Sequence, residues 1–354
     1  SGVQRLADVG LQLRAGEIVG IAGLADVEIG DTITDPADPR PLERLHVDPP
    51  TLQMTFGVNT SPIGGKDGKF LTSRQLKARL EKEVLGNPAI EVSPTDSGEA
   101  FQVRGRGELQ LAILVEQMRR EGFELSISRP QVLFQEIDGV RHEPIEEATI
   151  DVDDEYSGAV IEKLTGHRKG ELVEMKPAGA GKTRIVALVP SRGLIGYHGE
   201  FLTDTRGTGM MNRLFLGYRP WAGPIEGRRN GSLISNSDGE AIQYALFYLQ
   251  ERGTLFVDPG VKVYVGMILG EHSRDNDLEV NPIKEKKLTN IRAAGKDEAL
   301  LLIPPRKMSL EQAIAYIEDD ELVEVTPGAV RLRKRYLDPH ERKRHARRAE
   351  SEEA

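Results

Sequence analysis

Near the start of the chain, Val and Ile runs in residues 15–33 are cut by Gly23 and Gly30, which predicts short β pieces. Residues 35–50 are proline-rich and read as a linker. From Thr51 the pattern changes. Residues 51–59 alternate like a strand, and Thr72 with Gln75 forms a capping-box signature. Leu76, Leu80 and Val84 then line one helix face, and Gly86-Asn87-Pro88 stops that helix. Residues 89–95 and 101–105 read as strands. Leu111, Leu114, Val115 and Met118 recur at helical spacing up to Gly122, and residues 123–128 alternate again. The order βα-ββα-β is the split βαβ, ferredoxin-like plan.

The same order follows a second time. A strand at 145–152 leads to a helix whose predicted face is Tyr156, Ala159, Val160 and Leu164. The turn His167-Arg168-Lys169-Gly170 precedes strands at 171–177 and 183–190, then a short helix near 199–207 and a strand at 211–218. After residue 220 comes a third unit. It has a helix around Ala241, Tyr244, Ala245 and Tyr248, and a strand carrying Val261, Val263, Val265, Met267 and Leu269 on one side. Ser309 with Gln312 forms another capping box, with Leu310, Ala313, Ile314 and Ile317 as the buried face. Between that strand and that helix, residues 270–298 are too polar and aperiodic for a regular element, and loops of this length inside a domain are commonly functional.

The fold class expected is therefore α+β: a partial β-barrel at 1–48, two ferredoxin-like βαββαβ domains in series at 49–128 and 129–219, and an α+β C-terminal domain at 220–354 with a long basic loop. At 354 residues, with 38% hydrophobic and 29% charged positions, the chain has the composition of a multi-domain globular protein. No apolar run reaches the ~20 residues that span a bilayer, so no membrane association is expected. The absence of cysteine excludes disulfides and fits a cytoplasmic protein.

The formal charge of −9 argues weakly against nucleic acid, yet it averages over an asymmetry. Arg331, Arg333, Lys334, Arg335, Arg342, Lys343, Arg344, Arg347 and Arg348 crowd near the C-terminus, opposed only by Asp338 and Glu341. In the long loop, Lys284, Lys286, Lys287, Arg292 and Lys296 mix with Asn281, Thr289 and Asn290. Lys and Arg bind phosphate, while Asn and Thr bond sugar or base edges, so the loop reads as an RNA contact. For the C-terminal charges an RNA contact and a disordered solubilising tail both remain open. An aromatic content of only 5% argues against the base-stacking sheet of an RRM, so binding is expected to use backbone charge and shape.

Other chemistry reads as bland. Gly179-Ala180-Gly181-Lys182-Thr183 imitates the end of a P-loop, but Lys176 stands where the first glycine belongs and a β-branched strand follows, so a hairpin turn is expected. Asp151, Asp153, Glu155 and Glu162 have calcium-loop spacing, but Tyr156 occupies the glycine position. The seven histidines are scattered, and no catalytic constellation or metal site is expected.

At these residues a resemblance becomes specific. Residues 15–33 resemble the end of the second β-barrel domain of elongation-factor-type GTPases. Residues 103–130 resemble their third domain, and Asp154-Glu155-Tyr156-Ser157-Gly158 with the 167–170 turn resembles their fifth. Residues 228–260 and 270–293 are similar to the terminal domain of the BipA/TypA family of translational GTPases, and residues 128–139 run onward without the extra domain of elongation factor G. Gln110 stands where related factors often carry histidine.

The resemblance implies a factor of 50S subunit assembly and of translation under stress, a monomer that docks on the 50S subunit or 70S ribosome in the A-site region. It places the loop from Arg274 through Asn276 to Lys296 on 23S rRNA and the acceptor end of A-site tRNA, and turns His167, Arg168 and Lys169 toward rRNA. Arg333, Lys334 and Arg335 complete the expected RNA contacts. GTP and Mg are expected in the GTPase domain of the parent protein, which lies outside these residues; no cofactor and no hydrolysis are expected here. Two rival readings are a module that binds ribosomal proteins and an enzyme with a nucleotide site at Lys182-Thr183.

Overall fold

Alternation and capping build the first unit as the pattern predicts. The computed structural model describes residue 14, residues 16–21, 27, 29–35, 37–44 and 48–285, and residues 300–353, with side chains up to Arg348. Strand β1 (Leu52–Val58) buries Leu52, Met54 and Phe56 on one side. Helix α1 (Ser73–Gly86) starts at a reciprocal box, in which Gln75 N donates to Thr72 Oγ1 at 3.3 Å and Thr72 N donates to Gln75 Oε1 at 3.1 Å. It buries Leu76 and Leu80, whereas Val84 in its last turn stays partly exposed. Strands β2 (Glu91–Pro94) and β3 (Ala100–Gly105) precede α2 (Glu108–Glu121), which buries Leu111, Leu114, Val115 and Met118. Gly122 ends α2 at φ +101°, a backbone that a Cβ disfavours. Strand β4 (Leu125–Ser128) completes a sheet in the order β4-β1-β3-β2, the ferredoxin-like order.

Two short strands, β5 (Gln131–Val132) and β6 (Gln135–Ile137), lead to the second unit. Strand β7 (Val140–Asp153), helix α3 (Asp154–Glu162), strands β8 (Glu171–Gly179) and β9 (Lys182–Pro190), helices α4 (Ser191–Leu194) and α5 (Tyr197–Asp204), and strand β10 (Met210–Pro220) repeat the plan. The order β10-β7-β9-β8 matches that of the first unit, and every pairing is antiparallel. The buried face of α3 is Ser157 and Val160, continued by Leu164 in a π-helical turn at Lys163–His167. Ala159 is exposed and Tyr156 half-buried, so the buried face is narrower than the spacing predicts.

The third unit holds β11 (Ser232–Ser235), β12 (Gly239–Glu240), α6 (Gln243–Leu249), β13 (Gly253–Leu255), β14 (Lys262–Val263), β15 (Met267–His272), β16 (Leu278–Val280), α7 (Leu310–Tyr316), β17 (Glu321–Thr326), β18 (Ala329–Lys334) and α8 (Pro339–Glu353). The single strand expected at 261–269 is two. Gly266, at φ +86°, breaks it where a Cβ would lie 2.8 Å from Leu337, so Val265 leaves the alternation. The α6 face is Ala245 and Leu246, with Tyr248 about half exposed. The box at Ser309 and Gln312 forms, and Leu310, Ala313, Ile314 and Ile317 are buried.

The first and third units are joined more closely than the sequence suggests. Strand β4 pairs with β17 through Ser128↔Leu322 to Leu125↔Val325, so one eleven-stranded sheet runs through both. One core serves them, with Phe56, Leu114, Met118, Leu125 and Ile127 packed beside Ile268, Ile314, Val323 and Val325. The described residues before Leu52 contain no strand; much of the barrel piece expected at 1–48 lies outside the described residues.

Candidate nucleic-acid interface

The turn after α3 splits its three basic residues. Gly170 N donates to Leu164 O at 2.8 Å, and Lys169 adopts φ +56°, folding the chain tightly back. His167 and Lys169 are left exposed. Arg168 turns inward: it donates to the Gly193 carbonyl, pairs with Glu200 at 3.0 Å and lies over the Tyr197 ring at 4.6 Å. Burial pushes the Tyr197 hydroxyl up to about 12, so it stays a neutral platform for that cation. Arg168 therefore props the turn while its neighbours face solvent.

The long loop begins from a pinned base. Part of the stretch expected to be irregular is strand β16, which lies parallel to β11. Ser232 N donates to Asp277 Oδ1 at 2.8 Å, Gly231 N donates to Arg274 O at 2.8 Å, and His272 Nδ1 lies 2.6 Å from Asn276 O. Gly231 is required here, since a Cβ would meet the Asn276 carbonyl at 2.2 Å. Asn281 Oδ1 accepts from Ile283 N at 2.9 Å, and Asn276 Nδ2 donates to Asp277 O at 3.2 Å. Both asparagine side chains thus stabilise local backbone, while Arg274 and Lys284 are exposed. On the returning side, Gln243 of α6 and Gln250 at its C-cap donate to the carbonyls of Leu300 and Leu301 at 2.9 and 3.1 Å. Lys286, Lys287, Thr289, Asn290, Arg292 and Lys296 lie outside the described residues.

Two of the expected RNA contacts are interior. Arg333 and Lys334 are 3% and 2% exposed: as neighbours on β18 they point to opposite faces of the sheet, and both faces are covered there. Arg333 donates to Thr60 Oγ1 at 2.9 Å and Ser126 Oγ at 3.4 Å. Lys334 Nζ lies 2.6 Å from Asp277, 2.8 Å from Asp320 and 3.1 Å from Glu321. Burial disfavours a charged Glu321, yet the Arg228 hydrogen bond and Lys334 outweigh it and hold the carboxyl at about 2. Glu324, also fully buried, accepts from Ser61, Tyr264 and Arg331. A buried charge left unpaired is so costly that these two cations are committed to the fold and are withdrawn as RNA contacts. Arg335, the next residue, is exposed.

The imitation P-loop is a hairpin. Ala180 and Gly181 have φ +52° and +73° between β8 and β9, as a two-residue primed turn requires. Lys182 pairs with Asp153 at 2.9 Å and Thr183 Oγ1 donates to Asp154 at 2.6 Å. Gln110 Oε1 accepts from Arg106 N at 2.9 Å. A cleft of about 380 Å³ between the first two units is lined by Arg106 and Arg213, but Asp48 and Glu146 balance them.

Two family models match the chain: the TypA/BipA C-terminal domain over residues 230–339 and the elongation factor G C-terminus over residues 140–229. The large ribosomal subunit assembly factor BipA of Salmonella typhimurium is 53% identical over 342 residues, which is 96% of this chain and 56% of that protein. The factor of the same name from Escherichia coli K12 is 53% identical over 333 residues, 93% of this chain and 54% of its own. That of Bacillus subtilis is 47% identical over 347 residues, 98% and 56%. The chain spans about half the length of these relatives.

Proposed function

The chain belongs to the TypA/BipA family, as the C-terminal part of such a protein, and from that premise we propose that it is the RNA-gripping portion of a translational GTPase acting in large-subunit assembly. The observation that carries this reading is the identity of about half of all positions, along nearly the whole chain, to proteins named for large ribosomal subunit assembly. GTP and its magnesium belong to the parent's GTPase domain, which converts GTP to GDP and phosphate. The residues described here position and bind.

In this reading the protein is cytoplasmic and monomeric, and it docks in the A-site region of the 50S subunit or 70S ribosome, with a role that grows under stress. The long loop reaches 23S rRNA and the tRNA acceptor end. Exposed Arg274 and Lys284 at its described base support that placement, with Lys286, Lys287, Thr289, Asn290, Arg292 and Lys296 farther along. His167 and Lys169 give a second contact held out by Arg168, and Arg335 a third. Because Asn276 and Asn281 brace the base, their role is to aim the cations.

The test is co-sedimentation with isolated 50S subunits across a salt series, beside Lys286→Ala/Lys287→Ala/Arg292→Ala. The wild type binds, and the variant binds more weakly, with its log K against log salt slope shallower by roughly 0.7–0.9 per lost contact. Equal slopes would remove the loop from the interface. Binding that persists at high salt and after RNA removal would point to ribosomal proteins instead.

A further inference from the structure

The C-terminal basic run, left open by sequence, is an anchored helix. Asp338 caps α8 by accepting from His340 N and Glu341 N at 2.7 and 3.0 Å. His345 stacks on Tyr336 with ring centroids 3.9 Å apart and planes at 3°. Arg342 donates to the carbonyls of Tyr336 and Leu337 at 3.0 and 2.6 Å and to Glu279 of β16 at 2.8 Å. Leu337 packs on the same core cluster as Ile283 and Leu302, which flank the long loop. Arg342 and His345, three apart, thus face the body.

Helical spacing sends Lys343, Arg344 and Arg347 to the opposite side, and all three are exposed. Arg344 has Glu341 at 3.8 Å, while Lys343 and Arg347 form no ion pair among the described residues. Asp338 and Glu341 already complement the positive end of α8, and the cations of the outward face lie beyond its first turn, where neither the cap nor the macrodipole calls for them. Lys343 with Arg347, and Arg344 with Arg347, are like charges at helical spacing that repel one another, and an anion against that face relieves the repulsion.

We propose that α8 is a phosphate-binding helix for structured RNA, presenting Lys343, Arg344 and Arg347 as a second grip beside the base of the long loop. Nucleic acid is favoured over a protein partner because the outward face offers cations and no large apolar side chain. The identity of the RNA as ribosomal rests on the function proposed above; the helix's affinity for RNA backbone does not.

The experiment measures this chain against two probes, a 16-base-pair RNA duplex and isolated 50S subunits, each across a salt series. Three variants accompany the wild type. Lys343→Gln/Arg344→Gln/Arg347→Gln removes the face, and Tyr336→Ala keeps every charge but frees the helix from its stack. Arg74→Gln/Lys77→Gln/Lys82→Gln removes three exposed cations from α1 as a control, and circular dichroism confirms that each variant is folded. The α8 variant loses at least tenfold in affinity for the duplex at moderate salt, with a slope shallower by roughly 2–3. Tyr336→Ala falls between it and wild type, and the α1 control stays at wild type. Equal loss from the α1 control, or no loss from the α8 variant, overturns the proposal. Loss on subunits without loss on the duplex also overturns it, in favour of a ribosomal protein. Duplex binding that depends on α8 while wild type ignores 50S subunits supports the helix and defeats only the ribosomal reading.

Discussion

In the first ferredoxin-like unit the last strand, β4, is buried along its whole length and hydrogen-bonds to β17; in the second unit the equivalent strand, β10, ends its sheet and lies mostly exposed. The strand order is the same, so topology does not decide which edge extends. Side chains do. Leu125-Ser126-Ile127-Ser128 is short and uncharged, its two leucine-type residues enter the shared core, and its serines bond Arg333 and Thr55 on the other face. β10 carries Arg213, Arg219 and Pro220, with a bulge between Phe215 and Gly217, all devices that discourage a further strand. An edge becomes an interface when nothing on it resists pairing and the partner brings counter-charges for what is buried.

The sharpest way to break this contrast is Glu321→Ala, which takes the carboxylate from buried Arg228 and one of three from Lys334. It should destabilise the joint sheet by about 3–5 kcal/mol in urea denaturation. Trp221, the single tryptophan, adjoins the second unit through its amide to Arg141, so its fluorescence transition should move less than the circular dichroism transition. Coincident shifts would mean that the units unfold together. Next in size, Leu125→Ala in β4 should cost about 3 kcal/mol, whereas Leu214→Ala in β10, 60% exposed, should stay within about 0.5 kcal/mol.

Acid provides a third test. The Glu321 carboxyl is held at about 2, below its ordinary 4.5, so its stabilisation is fully present above pH 4.5 and is lost as pH falls through about 2. Wild type should lose stability on the order of 3 kcal/mol across that window, and Glu321→Gln should show a flatter acid limb. The smallest expected effect is Thr72→Ala at the α1 cap, about 1 kcal/mol in thermal unfolding, with no change at the β4–β17 seam.

Local chemistry was legible in the sequence. Both capping boxes, the α2 face, its Gly122 stop, the two ferredoxin-like plans and the hairpin at Gly181 follow from spacing of a few residues. What escaped depends on distance along the chain. Nothing in residues 125–128 names residues 321–326 as a partner. Arg333 and Lys334 read as tail charge because Ser126, Asp277, Asp320 and Glu321, which receive them, are scattered. Asn276 and Asn281 look like base readers until the backbone they bond is seen. Val261 to Leu269 reads as one strand because alternation continues through Gly266, and positive φ leaves no mark in a hydrophobicity pattern.

The pairing of β4 with β17 also has a consequence in time. Synthesis runs from the N-terminus, and the second unit finds all its strands within residues 135–220. The first unit emerges earlier, yet its β4 edge has no strand to accept until residues 321–326 have been made. During that interval the nascent chain carries an open, uncharged edge of the kind that invites aggregation, and closure must wait for a contact of high sequence separation. Slower elongation through residues 230–320 would prolong that exposure, so the time between making β4 and making β17 is a folding variable in its own right.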